Sequence, residues 1–251
     1  MMTWHIAARE LRSLFLSPLA WAVLGVVQFL LAYSFVSQIG LYTMLQSQLG
    51  AMSEAPGISD LIVAPVYGNA GMVFLLVTPL LTMRLISEER RSGTLGLVLS
   101  APVSMSEIIL GKYLGILVFL LIMAAMLTAM PLSLLAGAEL DLGKLAACVL
   151  GLTLLLTSYA AVGLFASTFA SHPGIAAVGS FGLLLLLWII DWVRSATDST
   201  SALLEYLSLV RHYEQILKGL VSTADILYFL LLAGTFLVLS VHRLDRDRLQ
   251  S

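Results

Sequence analysis

Six stretches of this sequence are each long and apolar enough to cross a bilayer, at about 19–39, 69–87, 107–135, 143–171, 174–195 and 224–242. About 20 helical residues cover the ~30 Å hydrocarbon layer. The fold class that follows is all-α: a polytopic integral membrane protein with six transmembrane helices in one domain over 1–251. The third and fourth stretches are long enough to require tilt or extension beyond the lipid. Pro79 and Pro131 lie inside spans. A kink is the plain expectation at each, and a gating hinge the sharper one.

Composition supports this reading. The chain is 59% hydrophobic and 11% charged, whereas a soluble domain is roughly 45–50% apolar and 25% charged. Its net charge of −2 favours no nucleic acid partner. Cys148 is the single cysteine, so neither an intramolecular disulfide nor a cysteine metal cluster can form. The first apolar stretch is too long for a signal-peptide core and is expected to stay attached.

Residues 2–16 carry a different pattern. Trp4, Ala7, Ala8, Leu11, Leu14 and Phe15 repeat at helical spacing, with His5, Arg9, Arg12 and Ser13 opposite. This reads as an amphipathic helix in the membrane interface, ended by Ser17-Pro18. With both termini on one side, that side holds nine lysines and arginines: Arg9, Arg12, Arg84, Arg90, Arg91, Lys112, Arg243, Arg246 and Arg248. The other holds four: Lys144, Arg194, Arg211 and Lys218. The imbalance places both termini in the cytoplasm.

Catalytic patterns are absent from the sequence. Gly111-Lys112-Tyr113 and Gly143-Lys144-Leu145 lack the hydroxyl residue and upstream glycine of a phosphate-binding loop. His5, His172, His212 and His242 form no His-x-x-x-His pair. Ser180, between Gly179 and Gly182, has no intramembrane histidine to activate it, so the glycines are better read as packing residues. Glu139, Asp141, Asp191 and Asp225 fall at span ends. Spans so poor in charge argue against an ion-driven carrier and fit energy supplied from outside the bilayer.

Two segments outside the spans are patterned. At 88–104, Glu88-Glu89-Arg90-Arg91 precede Ser92-Gly93-Thr94 and then Leu95, Leu97, Val98 and Leu99, with Pro102 following. Ser104 and Glu107 have capping-box spacing and open the third span. The short helix between is too short to stand alone. It is either a connector on lipid headgroups or a coupling element for a cytoplasmic partner. At 203–221, Tyr206, Leu209, Val210, Tyr213, Ile216, Leu217 and Leu220 form one face, opposite Arg211, His212, Gln215 and Lys218. This helix dips into the outer leaflet, lies on it, or forms a lid in which Tyr206, Tyr213 and Leu217 take part.

The order of these elements resembles the permease subunits of type-2 ABC transporters, and more closely their gliding-motility and nitrous-oxide-reductase-maturation branch. The resemblance rests on PLLTMRLISEERRSGTLGLVLSAPVSMSEIILGKYLG at 79–115, AVGLFASTFASHPGIAA at 161–177 and LEYLSLVRHYEQILKGLVSTADILYF at 204–229. The outer loop 40–68 departs most from the family pattern. The resemblance implies two paired permease chains in a bacterial cytoplasmic (inner) membrane, with no cofactor of their own. ATP and Mg would sit on separate ATPase subunits. Glu88, Glu89, Arg90, Arg91, Ser92, Gly93, Thr94, Leu95, Leu99 and Pro102 would contact that motor. Gly111 and Gly115 would permit close helix approach. A periplasmic or membrane-anchored accessory protein and membrane lipids are further partners of the family. Two functions fit: export or movement of a cargo not defined by the sequence, or a non-transporting scaffold relaying ATPase motion to a periplasmic partner.

Overall fold

The computed structural model describes residues 2–49, 57–96, 103–136, 140–197 and 208–250. The described residues are helices joined by short turns, with no strand among them. In chain order they are α1 (Met2–Leu16), α2 (Pro18–Leu49), a π-helical turn (Ser59–Val63) leading into α3 (Ala64–Thr82), and α4 (Ser87–Arg91). There follow α5 (Met105–Leu132), α6 (Leu142–Phe169), α7 (Pro173–Thr197), α8 (Leu209–Leu217) and α9 (Thr223–Gln250). Among the described residues, six helical stretches have the length and apolarity to cross a membrane.

These helices outrun the apolar stretches that mark them. α2 continues to Leu49, and the second helical stretch begins at Ser59, ahead of the apolar run. Hydropathy reports only the part of a helix that must sit in lipid. The helix itself continues wherever its backbone bonds remain favourable.

Local chemistry sets several ends. The Ser104 hydroxyl accepts from the Glu107 amide at 3.2 Å, and a Glu107 carboxylate oxygen accepts from the Ser104 amide at 3.2 Å. This completed capping box starts α5. The Asp141 carboxylate accepts from the Lys144 amide at 3.1 Å and starts α6. α4 and α8 stop alike. Gly93 (φ 71°) and Gly219 (φ 84°) adopt the left-handed conformation that a side chain disfavours. The amides of Thr94 and Leu220 then bond back to the carbonyls of Glu89 and Gln215, as in a Schellman ending.

α6 forms the middle of the bundle. Its apolar stretch is 72% buried, against 22% for α2 and for α7. α3, α5, α7, α8 and α9 all pack on it. Small residues permit the closest crossings: a Cβ on Gly163 of α6 would collide with the Thr82 side chain at the end of α3. α2 turns Phe29, Tyr33 and Val36 outward. Within the bundle, polar side chains find backbone partners. Gln28 donates to the Met123 carbonyl at 2.9 Å, and Ser158 to that of Phe229 at 3.1 Å. Apolar surroundings make such bonds costly to lose.

Candidate functional site

The second apolar helix does not run straight into the segment that follows it. α3 ends at Thr82, the chain turns through 83–86, and α4 begins at Ser87. Pro79 precedes this break. Its ring cannot donate a backbone bond, and Thr78 and Thr82 donate their hydroxyls to carbonyls one turn back, at 2.8 Å each. The turn is buried: Leu85, Ile86 and Ser87 are 5% exposed or less. Ser167 of α6 satisfies it, accepting from the Ile86 and Ser87 amides at 3.0 and 3.1 Å and donating to the Met83 carbonyl at 3.2 Å.

α4 is then clamped by charge. Lys112 of α5 is 2% exposed, and its Nζ lies 2.6 Å from Glu10 of α1 and 2.7 Å from Glu89 of α4. One buried cation therefore joins three helices. Arg90 pairs with Asp247 of α9 and donates to the Thr168 carbonyl of α6 at 2.8 Å. Arg243 approaches the same Asp247 at 3.5 Å and stacks over the Phe169 ring at 5.0 Å. The five residues of α4 are thus tied to α1, α5, α6 and α9. A displacement of α4 would strain these ties, because each is a partly buried polar contact whose loss uncovers a charged partner.

α1 reaches this cluster through Gly111 and Gly115. A Cβ on Gly111 would lie 2.6 Å from the Ile6 Cβ, and one on Gly115 2.7 Å from the Glu10 Cβ. The small-residue pair serves close packing against the N-terminal helix of the same chain. That contact also corrects the single apolar face read for 2–16. Ile6, Ala7 and Glu10 face α5. Trp4 is 71% exposed and Ala8 is also outward. Helical geometry explains this: residues 4 and 8 lie about a third of a turn or more from the 6, 7 and 10 ridge. Phe15 bridges the two sides, edge-on to Phe119 of α5 at 5.3 Å.

The remaining residues of the coupling segment are more open. Glu88, Arg91, Ser92, Gly93 and Thr94 are exposed, and Leu95 is half-buried against the core. The Ser92 and Thr94 hydroxyls pair with each other at 2.8 Å. Leu97, Val98, Leu99 and Pro102 lie outside the described residues. Glu89 and Arg90, read from sequence as contacts to a motor, instead spend their charge on Lys112 and Asp247 within the chain.

At the opposite end, α8 sits inside the bundle, against α3, α6 and α7. Tyr213 is 1% exposed and donates to the Tyr67 carbonyl at 2.6 Å. Burial, with Tyr159, Cys148 and Tyr67 nearby, pushes its hydroxyl well above the usual tyrosine range, so it remains a donor. Leu217 is also buried, and its carbonyl lies 3.7 Å from the Cys148 sulfur. Tyr206 lies outside the described residues. His212 pairs with Asp225 of α9 at 2.6 Å and stacks on Tyr228. Lys144 pairs with Asp60 nearby.

The sequence reading missed the partners of Lys112. A lysine inside an apolar helix is itself a signal, because it requires a counter-charge. Glu10, interrupting the polar–apolar pattern of α1, was the other half of that signal. Gly179 and Gly182 make no close approach within this chain: a Cβ on either would meet nothing within 4 Å, while Ser180 between them is buried. α7 turns those glycines away from the rest of the chain.

The family described as ABC-2 family transporter protein matches residues 4–249, almost the full sequence. No curated protein matches the chain.

Proposed function

The chain belongs to the ABC-2 transporter family, and on that premise we propose that it is the permease subunit of an ATP-driven export system whose motor lies on another polypeptide. Two copies pair in the cytoplasmic membrane with both termini inside. Separate ATPase subunits, which carry ATP and Mg, dock beneath them on 88–104. The ATPases close on each other and push this segment. Its movement passes through α4 into the bundle and shifts the path of the cargo. Within the family, the blocks at 79–115, 161–177 and 204–229 favour the gliding-motility and nitrous-oxide-reductase-maturation branch.

One observation carries this reading. α4 is anchored to four other helices while the residues directly after it project outward. A segment that only had to connect two spans would need no such ties. A segment that receives a push needs a rigid linkage behind an accessible contact. Leu95 supplies part of that contact, and full burial of a leucine is worth roughly 1.5–3 kcal/mol. A small interface relies on few anchors.

The test is co-purification with the cognate ATPase, at matched membrane expression. Leu95→Asp with Leu99→Asp should release the ATPase or leave it bound and uncoupled, with the spans still inserted. Normal binding and normal export by that variant would reduce the segment to a lipid-facing connector. Orientation is tested separately, in a Cys148→Ala background, with a membrane-impermeant thiol reagent. A cysteine at position 95 should resist labelling in intact cells.

A further inference from the structure

A cleft of about 870 Å³ opens between α1, the start of α2, the end of α3, α4 and the start of α5. Its two halves differ in chemistry. Toward the middle of the bundle its walls are apolar, with Leu19, Leu80 and Leu81. Leu80 is 43% exposed, so the cleft is open sideways at the level where α3 ends. Toward the end of the bundle it is lined by Arg9, Arg84 and Glu88. Lys112, Glu10 and Glu89 also border it and pair with one another, although Glu89 Oε2 is buried without a hydrogen-bond partner.

Arg9, Arg84 and Glu88 do not pair in this way. All three are exposed, and none has a side-chain ion pair or hydrogen bond among the described residues. They come from two different parts of the chain and converge on one opening. Two cations and one anion above an apolar wall match an amphiphile whose headgroup carries both signs. Arginine suits a phosphodiester because its planar fork can bind two oxygens at once. Basic pockets between membrane helices hold lipid headgroups by the same chemistry.

We propose that this cleft binds a phospholipid of the adjoining leaflet, with its phosphodiester between Arg9 and Arg84, its headgroup amine on Glu88, and an acyl chain along Leu19 and Leu80. Free phosphate shares the arginine chemistry, but it leaves the apolar wall unused. Arg9, Arg84 and the apolar wall rest on the membrane-spanning fold and not on the coupling role of 88–104; of the proposed contacts, Glu88 alone is shared with that segment. A lipid bound here fills the space between α1 and α3 and stiffens the far side of the α4 clamp.

The experiment uses the full chain, purified in detergent and stripped of lipid by washing. Dioleoylphosphatidylethanolamine, dioleoylphosphatidylglycerol or inorganic phosphate is added, and retention is read by native mass spectrometry. The wild-type chain should hold one phosphatidylethanolamine about ten-fold or more tightly than Arg9→Gln with Arg84→Gln. Arg12→Gln, on α1 outside the cleft, should bind as wild type. Glu88→Gln should erase the preference for the amine headgroup. Leu80→Trp, which narrows the side opening without changing charge, should also lower retention. Circular dichroism checks that each variant keeps its helix content. Retention by the double arginine variant equal to that of Arg12→Gln overturns the proposal, as does displacement of the lipid by millimolar phosphate. Equal wild-type affinity for the two lipids overturns the contact to Glu88. If the arginine variant loses its ATPase but keeps its lipid, the cleft is a protein-docking groove and the proposal fails, while the coupling reading stands.

Discussion

The two ends of this bundle hold a short helix in opposite ways. At one end α4 is fixed by ions and backbone-directed hydroxyls: Lys112 between Glu10 and Glu89, Arg90 on Asp247, and Ser167 on the 83–87 turn. At the other, α8 is fixed mainly by packing, supplemented by the buried His212–Asp225 pair and the Tyr213 hydroxyl on the Tyr67 carbonyl. Gly71 and Gly151 give it room, with Cβ positions 2.9 Å from Tyr213 and Ile216 respectively. Apolar packing is tolerant of small shifts and is spread over many contacts. Charge pairs with buried partners have few acceptable geometries. α4 is therefore held like a lever on defined pivots, and α8 like a plug.

The sharpest way to break that contrast is at Lys112. Lys112→Met leaves Glu10 and Glu89 facing each other without a cation, and should cost about 3–5 kcal/mol. Thermal unfolding of the detergent-purified chain measures it. Adding Glu10→Gln and Glu89→Gln should recover most of that stability without restoring ATPase-driven function. Should the triple variant function normally, the cluster is mere packing and the lever picture fails.

Overpacking tests each end separately. Gly71→Leu drives a side chain into Tyr213 and should cost about 1–3 kcal/mol. It should loosen α8, seen as faster proteolysis near 218–222, while ATPase co-purification stays intact. Gly111→Leu should do the reverse, lifting α1 from α5 and exposing the 2–17 segment to protease. If both variants open the same end, the two ends are not independently held.

Single polar contacts should matter less. Tyr213→Phe removes one hydrogen bond to the Tyr67 carbonyl and should lower stability by about 0.5–1.5 kcal/mol, read as a small drop in Tm with α8 still protected. The smallest change is expected from swapping exposed charge. Glu88→Arg with Arg91→Glu should shift Tm by an amount corresponding to no more than about 1 kcal/mol. A larger loss would mean that the exposed rim, and not the buried triad, sets the position of α4.

The sequence by itself determined the all-α class, the six long apolar helices and the helical character of 2–16. It also located the start of α5, because Ser104 and Glu107 form their capping box from four consecutive residues. Each of these is written in local order: apolar length, helical period or a fixed short spacing. Which faces meet is not. In a bilayer, lipid-facing and buried positions are both apolar, so hydropathy did not distinguish exposed Phe29 from buried Phe74. Nor could it show that Trp4 turns outward while Glu10 turns in. Only the tertiary structure decided the pairing of Lys112 with Glu10, 102 residues away, and of Arg90 with Asp247, 157 residues away. Those contacts depend on how helices cross, and crossing is set where glycine lets two backbones approach. A buried charge announces that it needs a partner, and the packing of the bundle selects which one it receives.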